Sequence, residues 1–220
     1  MSGLNLPPDD GGGRFPGFDV LEQDGHWDAA TRAVVEARVS LLPAIRFFDA
    51  AEEAAATALF DQLLYQRAEP KVPVTRMVDS RLAEQETDGW HYDTMPPDAA
   101  AWRTTLAALD DDARDRFGRP FSECRWEAQT ELLTAIHDSK ATEWHGLPPA
   151  QVWSLWTRYA CTAFYSHPWA WNEIGFAGPA YPRGYKNIGV DKREPFEVAD
   201  AMPGEDPLRD GTLKGASRGR

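Results

Sequence analysis

Five histidines, His26, His91, His137, His145 and His167, are the side chains best suited to proton transfer or metal ligation near neutral pH. His137, Asp138, Glu143 and His145 fall within nine residues, a density that a metal site could use. Their spacing is not HExxH, nor any other that stacks ligands on one helical face, so a helix end followed by a loop accounts for it better. His137 is placed to close a helix, where the dipole favours a cationic side chain. In the run Trp90-His91-Tyr92-Asp93, either Asp93 polarises His91, or the two rings pin a loop around a hydrogen-bonded histidine. The chain shows no GxGxxG after a strand, no GxxxxGK[ST] and no GxSxG, hence no nucleotide loop or nucleophile elbow of its own. Cys124 and Cys161 have no CxxC or zinc-finger spacing and are expected to pack as small apolar side chains. What these residues leave open is a stand-alone metal-dependent enzyme using His137, His145, His167 and nearby carboxylates.

Tryptophan usage is the stronger signal. Trp144, Trp153, Trp156, Trp169 and Trp171 crowd into 28 residues of a chain that holds nine in all. Large rigid rings bury area at little entropic cost, which suits both a small aromatic core and a protein–protein interface. Trp153 and Trp156 fit a helical core. For Trp169, Trp171, Tyr181 and Tyr185 both readings stand, because a Gly/Pro-rich segment cannot easily bury them within itself.

The elements that must position these residues read as helices. In 220 residues, 42% hydrophobic and 26% charged, there is enough apolar surface for one real core. Helical patterns run over about 28–40, from 49 toward Pro70 and Pro73, and over 98–117, 122–136 and 149–165. Asp49 and Glu52 have capping-box spacing, and the acidic run 110–112 reads as the solvated face of its helix. Only Lys71-Val72-Pro73-Val74 alternates like a strand, and Pro73 interrupts it. The expected fold is therefore mostly α: a single helical domain over 28–190 with a Gly/Pro/aromatic loop segment near its end. An irregular arm over 1–27, flexible or partner-wrapping, and a tail over 191–220 flank it. With 23 Lys+Arg against 35 Asp+Glu, the formal charge of −12 excludes a phosphate-reading surface, so no nucleic acid is expected. No apolar stretch is long enough to span a membrane. The first residues carry no basic-then-apolar leader and no twin-arginine pair. By its own sequence the chain is expected in the cytoplasm, with export to the periplasm only if a partner carries the signal.

The segment RYACTAFYSHPWAWNEIGFAGPAYPRGY resembles the C-terminal signature of the gluconate 2-dehydrogenase subunit 3 family. The matching elements are Tyr165, His167-Pro168, Trp169 and Trp171, Ile174-Gly175-Phe176, Gly178-Pro179 and Gly184-Tyr185. Upstream, the capped helix from Asp49, the PxVPV stretch leading into MVDSRL and the helix after Phe121 also fit. The resemblance implies an accessory role: a non-catalytic small subunit of a heteromeric FAD-dependent dehydrogenase that oxidises sugar, glycoside or gluconate hydroxyls. The large subunit would be a glucose-methanol-choline-type flavoprotein holding the FAD, and some such complexes add a cytochrome c subunit. No cofactor or metal is expected on this chain. Its contribution would be to stabilise, fold or help export the large subunit; a chaperone that dissociates after folding is the alternative. The expected partner interface is Tyr165, His167, Pro168, Trp169, Trp171, Phe176, Tyr181, Arg183 and Tyr185. In it His167 orders the turn that presents the tryptophans, and Arg183 makes a charge-assisted contact. His167 is also the one residue that could reach into a partner's active site as an acid or base.

Overall fold

An aspartate or a proline introduces most of the helices, in the computed structural model as in the sequence pattern. The structure describes residues 18–187, 189–190 and 192–197. Asp28 caps α1 (Ala29–Ser40) by accepting the Thr31 N–H at 2.8 Å. Asp49 caps α2 (Ala50–Leu64) in a complete capping box: its Oδ1 takes the Ala51 and Glu52 amides while Glu52 reaches back to the Asp49 amide. Then come α3 (Val74–Ala83), α4 (Asp98–Phe117), α5 (Trp126–His137), α6 (Pro149–Phe164) and α7 (Pro168–Ile174), with 3-10 turns at Val20–His26 and Phe121–Glu123. The described residues contain no strand, only an isolated bridge between Trp144 and Leu147. The architecture is mostly α, as expected.

The described residues gather into two compact units. One comprises Pro43–Arg67 and Pro73–Phe164; the other takes in the residues up to Leu42, Ala68–Val72 and those from Tyr165. The expected span 28–190 thus contributes to both. In the helical unit, α2 packs against α3, α4, α5 and α6. Trp102 of α4 and Trp156 and Tyr159 of α6 are fully enclosed beside Leu59, Phe60, Leu106 and Leu109. Two of their polar ends find partners inside: Trp156 Nε1 donates to Thr105 Oγ1 at 3.1 Å and the Tyr159 hydroxyl to Asp98 at 2.6 Å, while Trp102 Nε1 is buried without one. Burial and the neighbouring Asp98 raise the Tyr159 hydroxyl well above its ordinary pKa.

Tertiary hydrogen bonds overrule the sequence pattern in several places. The 71–74 stretch is no strand; Val74 opens α3, with Pro73 at its N-cap. The helix expected from 122 starts at Trp126 instead. Asp110 Oδ1 takes the Phe121 amide at 2.9 Å and Gln129 donates to the Phe121 carbonyl, which together hold a 3-10 turn there. Cys124 is buried at the end of that turn, whereas Cys161 is exposed rather than packed. The acidic run is solvated only at Asp111. Asp110 is buried, and Asp112 accepts both Trp144 Nε1 and His145 Nε2 at 2.7 Å. Asp79 was equally unforeseen. Fully buried, it accepts the amides of Arg46, Phe47 and Phe48 at 2.7, 2.9 and 2.8 Å, and so shapes the entry to α2.

Replacing Asp79 by Ala strands three amides, and we expect a loss of about 3 kcal/mol in urea denaturation. A loss under about 1 kcal/mol would show that water replaces the carboxylate.

Candidate functional site

Where α6 ends, the chain turns at His167 and starts again. His167 is the N-cap of α7, with extended backbone (φ −94°, ψ 136°), and its Nδ1 accepts the Trp169 amide at 3.2 Å. Pro168 follows at the first helical position, where its missing N–H costs nothing. Gly175, at φ 68°, closes α7 after seven residues. The Gly/Pro content therefore shortens the helix rather than abolishing it, and this short helix was not anticipated. Only 1% of the His167 surface reaches solvent. Burial pushes its pKa down to about 4; the nearby Arg38 charge adds to this, and a hydrogen bond to the Arg38 backbone opposes it. The imidazole is thus a neutral cap closed off from water.

Around this cap the segment borrows a core from further up the chain. Trp171, Val20, Trp27 and Val35 form one buried cluster, with Phe18 and Leu21 packed on its side. Trp171 Nε1 donates to the Tyr165 carbonyl at 2.7 Å, and the Arg38 guanidinium sits 5.8 Å from its ring centroid. Asn172 Oδ1 takes the Val20 amide at 2.7 Å and its Nδ2 reaches Asp19 at 3.3 Å. Trp27 Nε1 donates to the Pro179 carbonyl at 3.1 Å. Residues 18–27, expected as part of a loose arm, are therefore packed; 1–17 and 198–220 lie outside the described residues. Gly178 seals the contact. At φ 78°, a Cβ there would stand 2.7 Å from Trp27 Cζ2 and 3.0 Å from Val20 Cγ2, so only glycine fits.

The nine residues expected at an interface divide by exposure. His167, Pro168 and Trp171 are interior, Trp169 and Arg183 half-buried. Arg183 turns inward, donating to Gln23 Oε1 at 3.2 Å and the Ala177 carbonyl at 2.7 Å. Tyr165, Phe176, Tyr181 (66% exposed) and Tyr185 (51%) present their rings to solvent, and Ile174 joins them. Phe176 stands edge-on to Trp171, centroids 5.4 Å apart at 86°, so an exposed ring rests on a buried one. Asn172 and Trp27 are not named by the sequence pattern, and Ile174 only as part of the Ile174-Gly175-Phe176 element rather than as an exposed residue. Nothing in a lone Asn or a distant Trp signals a contact more than 150 residues away.

Three of the other histidines are engaged by hydrogen bonds. His137 ends α5, bonded to Asp138 at 2.8 Å and edge-on to Trp153 at 4.8 Å; His145 is tied to Asp112. His91 Nδ1 donates to the Tyr92 carbonyl at 2.8 Å, which is the hydrogen-bonded histidine of the second alternative. Trp90 and Tyr92 are both exposed, 5.3 Å apart and nearly perpendicular. Among the described residues, no three His, Cys, Asp or Glu side chains are grouped so as to hold a metal ion. The chemistry this arrangement supports is recognition by aromatic rings on a fixed backbone.

Two outcomes follow. A neutral buried His167 stabilises the fold fully above pH about 6.5, the unfolded value. That contribution is lost as the pH falls toward 4, by about 3 kcal/mol. In His167→Asn, which keeps a capping oxygen, urea denaturation from pH 7 to 4 should lack this component; parallel wild-type and variant curves would refute it. Gly178→Ala should cost at least about 2 kcal/mol, read from the same denaturation curves at pH 7.

The chain matches the family model described as gluconate 2-dehydrogenase subunit 3 over residues 50–178, from the first residue of α2 to the glycine against Trp27. No curated protein and no solved structure matches it. The match covers more than half the chain and takes in α2 to α7 with the His-Pro-Trp segment just described; the chain belongs to the gluconate 2-dehydrogenase subunit 3 family.

Proposed function

We propose that this chain is the non-catalytic small subunit of a heteromeric FAD-dependent dehydrogenase acting on sugar, glycoside or gluconate hydroxyls. It stabilises a large flavoprotein subunit of the glucose-methanol-choline type and helps it fold. The flavoprotein carries the FAD, and a cytochrome c subunit is a further partner where the complex has one. The observation that carries this reading is the row of exposed rings, Tyr165, Phe176, Tyr181 and Tyr185, on a segment whose backbone is fastened by Trp171, Asn172 and Gly178.

The physics is mass action. A subunit that binds only the folded flavoprotein stabilises it by an amount that grows with its concentration over the dissociation constant. Rings already held in place lose little freedom on docking, so more of the burial appears as affinity. His167 serves here as a positioning residue: it caps α7 and so sets the turn from which Trp169 and Phe176 project. The complex resides in the cytoplasm, or leaves it on a signal carried by the partner.

Replacing Tyr181 and Tyr185 together by Ala should lower the amount of flavoprotein recovered with the tagged chain, and its flavin content, by about tenfold or more. The KM of the complex that does form should stay unchanged. Recovery of fully flavinated complex at wild-type yield would contradict the assignment.

A further inference from the structure

A cavity of about 540 Å³ opens between the Val20–His26 turn and the residues after α7. That volume lies in the range of small-molecule sites. Among the described residues its lining carries two cations, Arg183 and Lys186, against one carboxylate, in a chain whose formal charge is −12. Arg183 and Lys186 face it from one side and His26 from the other. Glu194, the one carboxylate among the described lining residues, is already engaged: it accepts the Lys186 and Asn187 amides and, at 3.1 Å, Asn187 Nδ2.

Arg183 is the centre of the site. Its guanidinium lies 3.5 Å from the Phe196 ring centroid, and both of its acceptors, Gln23 Oε1 and the Ala177 carbonyl, are neutral oxygens. Its Nε–H is buried with no acceptor. A half-buried cation against an aromatic ring, with neutral hydrogen-bond acceptors and Glu197 as a nearby carboxylate, keeps one N–H without an acceptor, and a bound anion would add to its compensation. Phe196 and Pro195 supply an apolar wall that bare inorganic ions do not need.

We propose that this cavity binds an organic carboxylate, its charge held by Arg183 and Lys186 and its carbon body laid against Phe196. The carboxylate belongs either to a free small acid or to an acidic side chain of a bound peptide. The site stands independently of the subunit reading above.

The test is a titration of the full-length chain with benzoate at low salt, followed by NMR on the backbone amides and the Arg183 Nε–H. Saturable shifts confined to Arg183, Gly184, Lys186 and Asn187 are expected. Benzamide, which lacks the charge, should bind at least about tenfold more weakly, and Lys186→Gln should weaken benzoate by about tenfold. Lys186 has an exposed side chain, so this variant retains the fold even if Arg183→Gln does not. A glutamate-containing peptide that outcompetes benzoate identifies a protein source for the carboxylate, and one that does not identifies a small acid. Equal binding of benzamide, linear shifts without saturation, or an unaffected Lys186→Gln variant would overturn the proposal.

Discussion

A segment rich in glycine, proline and aromatic rings cannot make a core from its own backbone, and this unit of the structure is built around that constraint. The stretch after α6 solves it by burying Trp171 against Val20, Trp27 and Val35, from residues far earlier in the chain. Because the contact joins distant residues, its loop-closure cost must be repaid by specific bonds. Asn172 to the Val20 amide, Trp171 to the Tyr165 carbonyl and Trp27 to the Pro179 carbonyl repay it. Gly178 permits the close approach, since any Cβ would collide with the Trp27 ring.

From this follows a division of labour among residues that look alike in the sequence. Trp171 and His167 turn inward and fix the backbone, while Tyr165, Phe176, Tyr181 and Tyr185 turn outward on it. Burial keeps the His167 imidazole neutral, and its Nδ1 is engaged in capping α7. The helical unit follows the same economy: Asp79 and Asp110 accept backbone amides of neighbouring loops, and Asp98 takes the Tyr159 hydroxyl. Acidic residues that count toward solubility in a composition table are here internal fasteners.

Local signals in the sequence carried the helices well. Capping by Asp28 and Asp49, the periodic burial of α4 and α6 and the Gly118 stop of α4 all act within a few residues of themselves. What was not legible was anything decided at a distance. The inward turn of Asp110 and Asp112, the late start of α5 and the packing of 18–27 depend on partners 11 to 153 residues away. Periodicity does not encode such contacts. The split of the aromatic segment into buried and exposed rings was unreadable for the same reason, since the borrowed core lies outside the segment.

What travels with this chain in its own cell decides whether it is a subunit of a flavoprotein complex. The direct measurement is to tag it in its native host, purify it gently, and record the absorbance spectrum together with the co-purifying bands. A yellow preparation with a larger polypeptide in stable stoichiometry and flavin absorbance is the predicted result. A colourless, folded chain alone would contradict it.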